Sequence, residues 1–367
     1  MSSLRDLARM KRNGLPGMLP GGTLASVKVL FNCCLPFSLA HGGQAIQILQ
    51  TMNALQKIGV EVEPVRWWDP HQAGDLIHYH GRMAPDQIRF AHQKGMKVIL
   101  GELLTGAGSQ NLLQRKARRA FRWIAENMAP AAVAGAFQWE SYRLADGFTV
   151  LTAWEKFLME YKYDAPSSRI HVVSNGVEEV FFESPPVPRG KWLVCTATIT
   201  ERKRVLELAQ AAVMAQTPVW IIGKAYSESS HYAREFFRLA SANPKWIRFE
   251  GAVDDRAVLA GVYRAARGFV LLSTMESQSL SALEAAACGC PLLLSQLPWA
   301  QSSFPAGVRF CPVSASTRDT AAVLKSFYQD APQLPCPPAP PTWGKIAMEF
   351  QRVYETVLST NADSGNP

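Results

Sequence analysis

The sequence lacks the features of disulfide-stabilised, zinc-binding or membrane-spanning proteins. Its seven cysteines are an odd number without a repeated C-x-x-C spacing, so we interpret them as reduced thiols of a cytoplasmic protein. No uninterrupted apolar run is long enough to cross a bilayer. The segment 1–22 contains basic side chains but no continuous apolar stretch, so we predict a flexible tail there and not a secretion signal.

Acidic residues are scarcer than basic ones. The chain has 30 Asp and Glu against 38 Lys and Arg, a formal net charge of +8, which favours anionic partners such as nucleotides, phosphates or an anionic membrane. The basic residues form no recognisable nucleic-acid-binding motif, so we predict no nucleic acid partner. A G-x-G-x-x-G sequence is also absent, and a dinucleotide-binding fingerprint is therefore not supported.

Short apolar segments alternate with amphipathic helical segments in both halves of the chain. This rhythm predicts an α/β protein with two parallel sheets that face a cleft. The proline-rich segment 183–190 is predicted to link a first domain at 23–183 to a second at 184–341. An amphipathic helix at 342–358 and a disordered tail at 359–367 complete the prediction. The predicted strands are 27–31, 60–65, 75–80, 97–100, 147–151, 169–173, 192–195, 219–222, 247–250, 269–272 and 291–294.

Two carboxylates follow one predicted strand of the second domain. Glu276 lies in the polar loop after that strand, and Glu284 lies in the helix-forming run Leu280–Ala287, which ends before Gly289 and Pro291. Ligands of open parallel sheets bind at the carboxyl ends of the strands. We therefore expect both carboxylates to accept hydrogen bonds from sugar and ribose hydroxyls of one ligand.

A basic turn follows the first predicted strand of the same domain. The segment Thr196–Arg204 includes Lys203 and precedes a helix. A cation beside a helix N-terminus is suited to binding a diphosphate. Together with the two carboxylates, it indicates a nucleoside-diphosphate sugar. Each of these patterns taken alone occurs often by chance, and the prediction depends on their combination in one domain.

The first domain has two weaker candidates for ligand binding. The pair Gly42–Gly43 lies at a strand-to-helix turn, where glycines let backbone amides approach a ligand. His80 ends a predicted strand. The alternatives are a tight turn that binds nothing and a histidine with a structural role.

The predicted helix 111–128 is strongly basic. One interpretation is a solvated helix face, and the other is adsorption to an anionic membrane, which would place this cytoplasmic protein peripherally on the inner membrane face. The residues concerned are Arg115, Lys116, Arg118, Arg119 and Arg122.

These patterns together resemble the retaining glycosyltransferases of family 4, glycosyl transferases group 1, over roughly 27–358. The segment from Glu276 to Glu284 resembles the E-x7-E motif of that family, and Lys203 resembles its phosphate-binding lysine. His80 with Ala84–Pro85 is similar to its strand-end histidine motif, and Trp343–Tyr354 to its terminal helix. The resemblance implies the GT-B fold, with two Rossmann-like domains around a cleft and a C-terminal helix that crosses back to the first domain.

The resemblance also implies roles for residues. Glu284 would hold the ribose, Glu276 the sugar hydroxyls and Lys203 the diphosphate, and His80, Glu276 and Lys203 are the implied catalytic residues. No metal and no cofactor besides the sugar-nucleotide substrate is implied. The acceptor would be a glycan or a lipid-linked hydroxyl compound, as in surface polysaccharide or glycolipid synthesis. The implied donor-binding residues are Gly42, Gly43, Thr198, Arg202, Lys203, Arg204, Gly223, Glu276, Ser277, Gln278, Ser279, Leu280 and Glu284.

Three positions depart from the family pattern. Thr198 stands where the family usually has an arginine, Ser277 where a glycine usually follows the first glutamate, and Gly81 where a glutamate often follows the histidine. The departures leave open a non-catalytic nucleotide-sugar-binding or scaffold protein on the same fold. A sugar-nucleotide epimerase of related architecture is a third interpretation, although it is not expected to carry this E-x7-E context.

Overall fold

The structure is a computed structural model that describes residues 27–33, 42–108, 110, 112–128, 139–182 and 187–360. The predicted tail at 1–22, residues 183–186 of the predicted linker and residues 361–367 lie outside the described residues.

Six parallel strands form the sheet of the first half, in the order β2-β1-β3-β4-β5-β6. The central strands are apolar because helices cover both faces of such a sheet; every residue of β5, for example, is buried. The strands are β1 Lys28–Cys33, β2 Glu61–Pro64, β3 Leu76–His80, β4 Lys97–Gly101, β5 Gly147–Val150 and β6 Ile170–Val172. The helices are α1 Gly43–Lys57, α2 Pro85–Gln93, α3 Thr105–Gly108, α4 Leu112–Met128, α5 Ser141–Leu144 and α6 Ala153–Tyr163.

A second parallel sheet of six strands fills the other half, in the order β12-β11-β10-β7-β8-β9. Its strands are β7 Leu193–Thr196, β8 Val219–Ile222, β9 Ile247–Phe249, β10 Gly268–Leu271, β11 Leu292–Ser295 and β12 Val308–Cys311. Its helices are α7 Val205–Ala215, α8 His231–Ala242, α9 Arg256–Ala265, α10 Leu280–Ala287, α11 Pro298–Ser303 and α12 Thr317–Asp330, and α13 Trp343–Ser359 ends the described chain.

The two-sheet α/β architecture predicted from the sequence is confirmed. The sequence patterns did not predict α2, α3, α5, α11, α12 or the edge strand β12. In β12 the exposed Arg309 interrupts the apolar run, so the continuous apolar signal of the central strands is missing. Helix α13 reaches Ser359, one residue into the predicted C-terminal tail.

Two chain segments cross side by side between the sheets. Val177 forms a parallel bridge with Thr342, and its amide donates to the carbonyl oxygen of Pro341 at 2.9 Å. Gly176 lies so close to Trp343 that an added Cβ would come within 2.7 Å of the Trp343 backbone. The position therefore requires glycine for steric reasons, and the crossing is closely packed.

Helix α13 returns to the first sheet, as predicted. Ile346, Phe350 and Tyr354 share one buried apolar cluster with Val29 and Ile48 of the first half. The Tyr354 hydroxyl also lies 2.9 Å from Nδ1 of the buried His78 in β3. The first sheet is therefore completed by the last helix of the chain.

We expect Phe350→Ala to destabilise the protein, because it removes a side chain that is 4% exposed. Loss of a buried Phe costs about 3–5 kcal/mol. The control is Met348→Ala on the same helix, at a residue that is 45% exposed and should change stability by at most ~0.5 kcal/mol. Urea unfolding followed by circular dichroism compares the two. Equal effects would contradict the packing of α13.

Candidate functional site

The loop between β10 and α10 carries the first predicted carboxylate. We call residues 273–279 the donor loop. Ser279 ends it as the N-cap of α10, because its side chain accepts a hydrogen bond from the Ala282 amide. Glu276 lies in its middle and pairs with Lys203 at short range. Arg202 also reaches Glu276, with Nη1 at 3.2 Å from Oε1. The structure thus brings together the predicted carboxylate and the predicted phosphate-binding cation.

Lys203 is presented by a tight turn after β7. A 3₁₀ turn spans Glu201–Lys203, and Arg204 takes a left-handed conformation with φ 51° where the turn meets α7. The Thr274 amide donates to the carbonyl oxygen of Arg202 at 2.8 Å. The basic turn and the donor loop are therefore joined through their backbones as well as through the ion pair.

Three other residues predicted to bind the donor from this side lie in different surroundings. The Arg204 guanidinium donates to the carbonyl oxygens of Val313 and Ala315, at 2.8 and 3.2 Å, so its charge stabilises a neighbouring loop. Thr198 is partly buried. Gly223 packs against Ala197, the residue that follows β7, since an added Cβ would lie 1.9 Å from the Ala197 carbonyl oxygen. For Gly223 the structure shows a packing requirement, while its predicted contact with a donor stays a prediction.

The second predicted carboxylate, Glu284, lies buried on α10 beside a cation. Its Oε1 accepts a short hydrogen bond from Arg256 Nη2, and its Oε2 accepts one from the Tyr263 hydroxyl at 3.4 Å. Burial raises the pKa of Glu284 above its ordinary value, and Arg256 opposes that rise. Arg256 also pairs with Glu178 at 2.9 Å and lies over the Phe181 ring. It therefore connects Glu284 to the segment that joins the two sheets.

Sequence reasoning did not find Arg256. It is the first residue of α9, after the N-cap Asp255, and its partners Glu178 and Glu284 are distant in the chain. Because the pairing depends on how α9 and α10 pack, no local pattern could have revealed it.

His80 ends β3 at the carboxyl edge of the first sheet, among aromatic side chains. Its ring stacks on that of His78 with a centroid distance of 4.4 Å and lies 5.6 Å from that of Phe31. Burial lowers the pKa of His80 to about 4, against a smaller opposing effect of the Asn32 backbone. His80 is therefore neutral at pH 7 and would act on a substrate as an uncharged hydrogen-bonding group.

The glycine pair of the first domain faces the second domain. An added Cβ at Gly42 would lie 3.7 Å from the Tyr226 hydroxyl, and one at Gly43 would lie 3.7 Å from Cδ1 of Leu280. Leu280 itself packs against the apolar cluster of the first half. The predicted glycine turn and the start of α10 thus meet at the boundary between the domains.

Two more predicted donor-loop residues contact the first half of the chain. The Ser277 hydroxyl lies 2.6 Å from that of Thr105. The Gln278 side chain accepts a hydrogen bond from the Asn175 amide at 2.7 Å. The side chains of Ser277, Gln278, Ser279 and Leu280 therefore have structural partners, and their predicted contacts with a donor stay predictions.

The basic helix α4 directs three of its five basic residues toward α6. Arg115 and Arg119 lie over the rings of Trp154 and Tyr161 of α6, at 4.8 and 4.6 Å. Arg122 is buried and pairs with Asp164 at 3.3 Å. These three guanidinium groups attach α4 to α6 and to the residue that caps it, although the Arg119 side chain is still 51% exposed. The other two basic residues, Lys116 and Arg118, are exposed.

Within the described residues, no group of three His, Cys, Asp or Glu side chains is placed to hold a metal ion. No helix in the described part of the chain is long and apolar enough to cross a membrane.

We expect Glu284→Gln to gain stability relative to the wild type as the pH rises above 4.5, the ordinary value for Glu284. Because the folded pKa is raised, the native wild type binds more protons than the unfolded chain above that pH, and its stability falls until the folded pKa is passed. The variant has no such carboxyl. Urea unfolding at several pH values measures the difference in free energy. The exposed Glu228→Gln is the control, and a pH-independent difference for Glu284→Gln would contradict its raised pKa.

Comparison with known proteins gives a family match for part of the chain and a shared fold. Residues 190–327 match the family Glycosyl transferases group 1. No curated protein sequence matches the chain significantly. A glycosyltransferase from Rickettsia africae has 11% sequence identity and a TM-score of 0.60, with 92% of this chain and 100% of that one covered.

Two further solved structures share the fold. Anabaena HepE, in complex with UDP and glucose, has 13% identity and a TM-score of 0.60, covering 91% of this chain and 100% of its own. Sucrose-phosphate synthase from Thermosynechococcus elongatus has 17% identity and a TM-score of 0.59, covering 90% and 96%. The chain therefore has the GT-B fold of these glycosyltransferases, and its segment 190–327 carries the sequence pattern of glycosyl transferases group 1.

Proposed function

We propose that this protein is a retaining, metal-independent glycosyltransferase. It transfers a sugar from a nucleoside-diphosphate sugar to a hydroxyl group of a glycan or lipid-linked acceptor, in surface polysaccharide or glycolipid synthesis. The single observation that carries the proposal is the pairing of Lys203 with Glu276, in the segment that matches the glycosyl transferases group 1 pattern. Two structures of the similar Anabaena HepE contain UDP, and one of them also contains glucose.

The ion pair of Lys203 and Glu276 can be exchanged for ligand contacts. Side chains of both residues are largely buried, 12% and 9% exposed, and a buried charge left alone is costly. A bound donor provides a partner for each, since its diphosphate is anionic and its sugar hydroxyls donate. Lys203 then stabilises the charge that develops on the leaving diphosphate, and Glu276 orients the sugar.

The Glu284 carboxylate is placed to accept hydrogen bonds from two neighbouring hydroxyl groups. Arg256 occupies Oε1, and the weaker contact from Tyr263 reaches Oε2 at 3.4 Å. Ribose hydroxyls can donate hydrogen bonds to the same carboxylate, while Arg256 balances the negative charge of Glu284. The role of Arg256 is therefore to position Glu284.

The first domain completes the proposed site. His80 is neutral because burial lowers its pKa to about 4, so it accepts or donates a hydrogen bond to the transferred sugar without repelling Lys203. The departing phosphate oxygen takes the proton of the acceptor hydroxyl, so the proposal needs no protein nucleophile. Catalysis then consists of charge stabilisation and positioning.

The alternative is a nucleotide-sugar-binding or scaffold protein without turnover. Thr198, at the position of the usual arginine, favours it. The exposed guanidinium of Arg202, 3.2 Å from Glu276, argues against it, because it supplies a second cation beside Lys203. An epimerase would leave the acceptor unglycosylated.

We expect Lys203→Met to lower kcat by about 10²–10³-fold, since it removes a charge that stabilises the transition state. The assay incubates the enzyme with UDP-, GDP- and ADP-sugars and an acceptor mixture and follows release of nucleoside diphosphate. Lys325→Met, at an exposed lysine of α12, is the control and should keep wild-type activity. Full activity in Lys203→Met would refute the site assignment, and donor binding without release in the wild type would support the scaffold alternative.

Peripheral membrane binding is a second part of the proposal. On α4, Leu113, Ile124 and Met128 share one face and are 77%, 49% and 72% exposed. The exposed Lys116 and Arg118 accompany them. A helix with an apolar face and flanking cations adsorbs to an anionic bilayer surface. This surface would bring the site close to lipid-linked acceptors.

We expect Leu113→Ser with Ile124→Ser to weaken binding to vesicles of phosphatidylglycerol and phosphatidylcholine by about tenfold, given roughly 25 cal/mol per Å² of apolar area withdrawn from water. Co-sedimentation with the vesicles measures this binding. Val258→Ser, at a residue of α9 that is 55% exposed, serves as the control. Unchanged sedimentation of the double variant would show that α4 does not bind the membrane.

A further inference from the structure

Ser277 lies where the donor loop touches the first half of the chain. Its hydroxyl is 2.6 Å from that of Thr105, and the residue is only 8% exposed. Thr105 is the first residue of α3, which follows β4 after a short turn. The contact therefore links a loop of the second sheet to the carboxyl edge of the first sheet, and water has little access to it.

Glu155 of α6 completes this contact. Its carboxylate accepts hydrogen bonds from the amides of Leu104 and Leu151, at 3.0 and 2.9 Å, and is therefore fixed in place. Burial raises the pKa of Glu155, and a hydrogen bond from Ser277 is one of the contacts that oppose this rise. Ser277 is thus in contact with both Thr105 and Glu155, and either hydroxyl of the Ser277–Thr105 pair can be the donor.

Neighbouring side chains of the donor loop are attached elsewhere. Glu276 pairs with Lys203 of the second domain, and Gln278 accepts from the Asn175 amide in the segment between the sheets. Three consecutive residues thus bind three separate parts of the molecule. A displacement of Ser277 would move Glu276, which is its direct neighbour in the chain.

The backbone at position 277 does not require glycine. Among the described residues, the non-glycine residues with positive φ are Asp164, Arg204 and Gln216. Ser277 is not one of them. The hydroxyl can therefore be present without backbone strain. A serine here adds a side-chain contact to the first domain that a glycine could not make.

We propose that Ser277 is a positioning residue that ties the donor loop to the first domain through Thr105 and Glu155, and so holds Glu276 in place for the donor. Only the expected effect on the KM for the donor rests on the proposed function. The attachment of the loop is a property of the protein without ligand and is measured separately.

A double-mutant cycle on the full chain tests the proposal. Ser277→Ala and Thr105→Val each remove one hydroxyl of the contact, and we expect each to raise the KM for the donor about 3–10-fold, the range of one hydrogen bond. Because Ser277→Ala already removes the partner of the Thr105 hydroxyl, the double variant should resemble Ser277→Ala. Thr105→Ser keeps the hydroxyl and should keep the wild-type KM. Single effects that multiply in the double variant would overturn the proposal.

Hydrogen exchange of the donor-loop amides provides the readout without substrate. We expect faster exchange of residues 274–279 in Ser277→Ala and in Thr105→Val, and no change in Ser326→Ala, which alters an exposed serine of α12. Unchanged exchange in the first two variants would refute the attachment. If the wild type releases no nucleoside diphosphate from any donor, the proposed function fails, while the exchange experiment still decides whether Ser277 holds the loop.

Discussion

The short ion pair between Lys203 and Glu276 joins the turn after β7 to the loop after β10. These strands are neighbours in the second sheet. The side chains of Lys203 and Glu276, which follow their carboxyl ends, therefore lie close together at one edge of that sheet. The pair is largely buried, and its two charges compensate each other. The backbone bond from Thr274 to Arg202 holds the two loops in register. The rest of the site is arranged around this pair.

The same loop and the start of α10 also contact the first half of the chain. Ser277 contacts Thr105, Gln278 contacts Asn175, and Leu280 packs against the first apolar cluster. The crossing at Val177 and Thr342 and the return of α13 constrain the domains from the other side. The proposed glycosyl transfer would need groups from both domains at once. The contacts of Ser277 and Gln278 attach the donor loop to the first half of the chain.

Much of the fold was predictable because its signals are local. Apolar runs such as Leu292–Ser295, which is buried throughout, indicate central strands, and the spacing of apolar residues indicates the helices between them. The proximity of Glu276 and Lys203 was also predictable, since each follows a strand of the second sheet. Arg256 was not, because its partners Glu178 and Glu284 approach only after α9 packs on α10.

The orientation of α4 shows another limit of sequence reasoning. A block of arginines suggests a solvated or lipid-facing surface, yet Arg115 and Arg119 lie on aromatic rings of α6. Guanidinium groups stack on aromatic faces, and this preference depends on a neighbour that the sequence places some 40 residues away. The exposed face of α4 is consequently more apolar than its composition suggests.

The most direct test of this account is a crystal structure of the protein with the nucleoside diphosphate that it releases. The account predicts the diphosphate within hydrogen-bonding distance of Lys203 Nζ and the ribose hydroxyls on Glu284, with Ser277 still bonded to Thr105. A nucleotide bound away from Lys203, or a donor loop separated from the first domain in the occupied site, would contradict it.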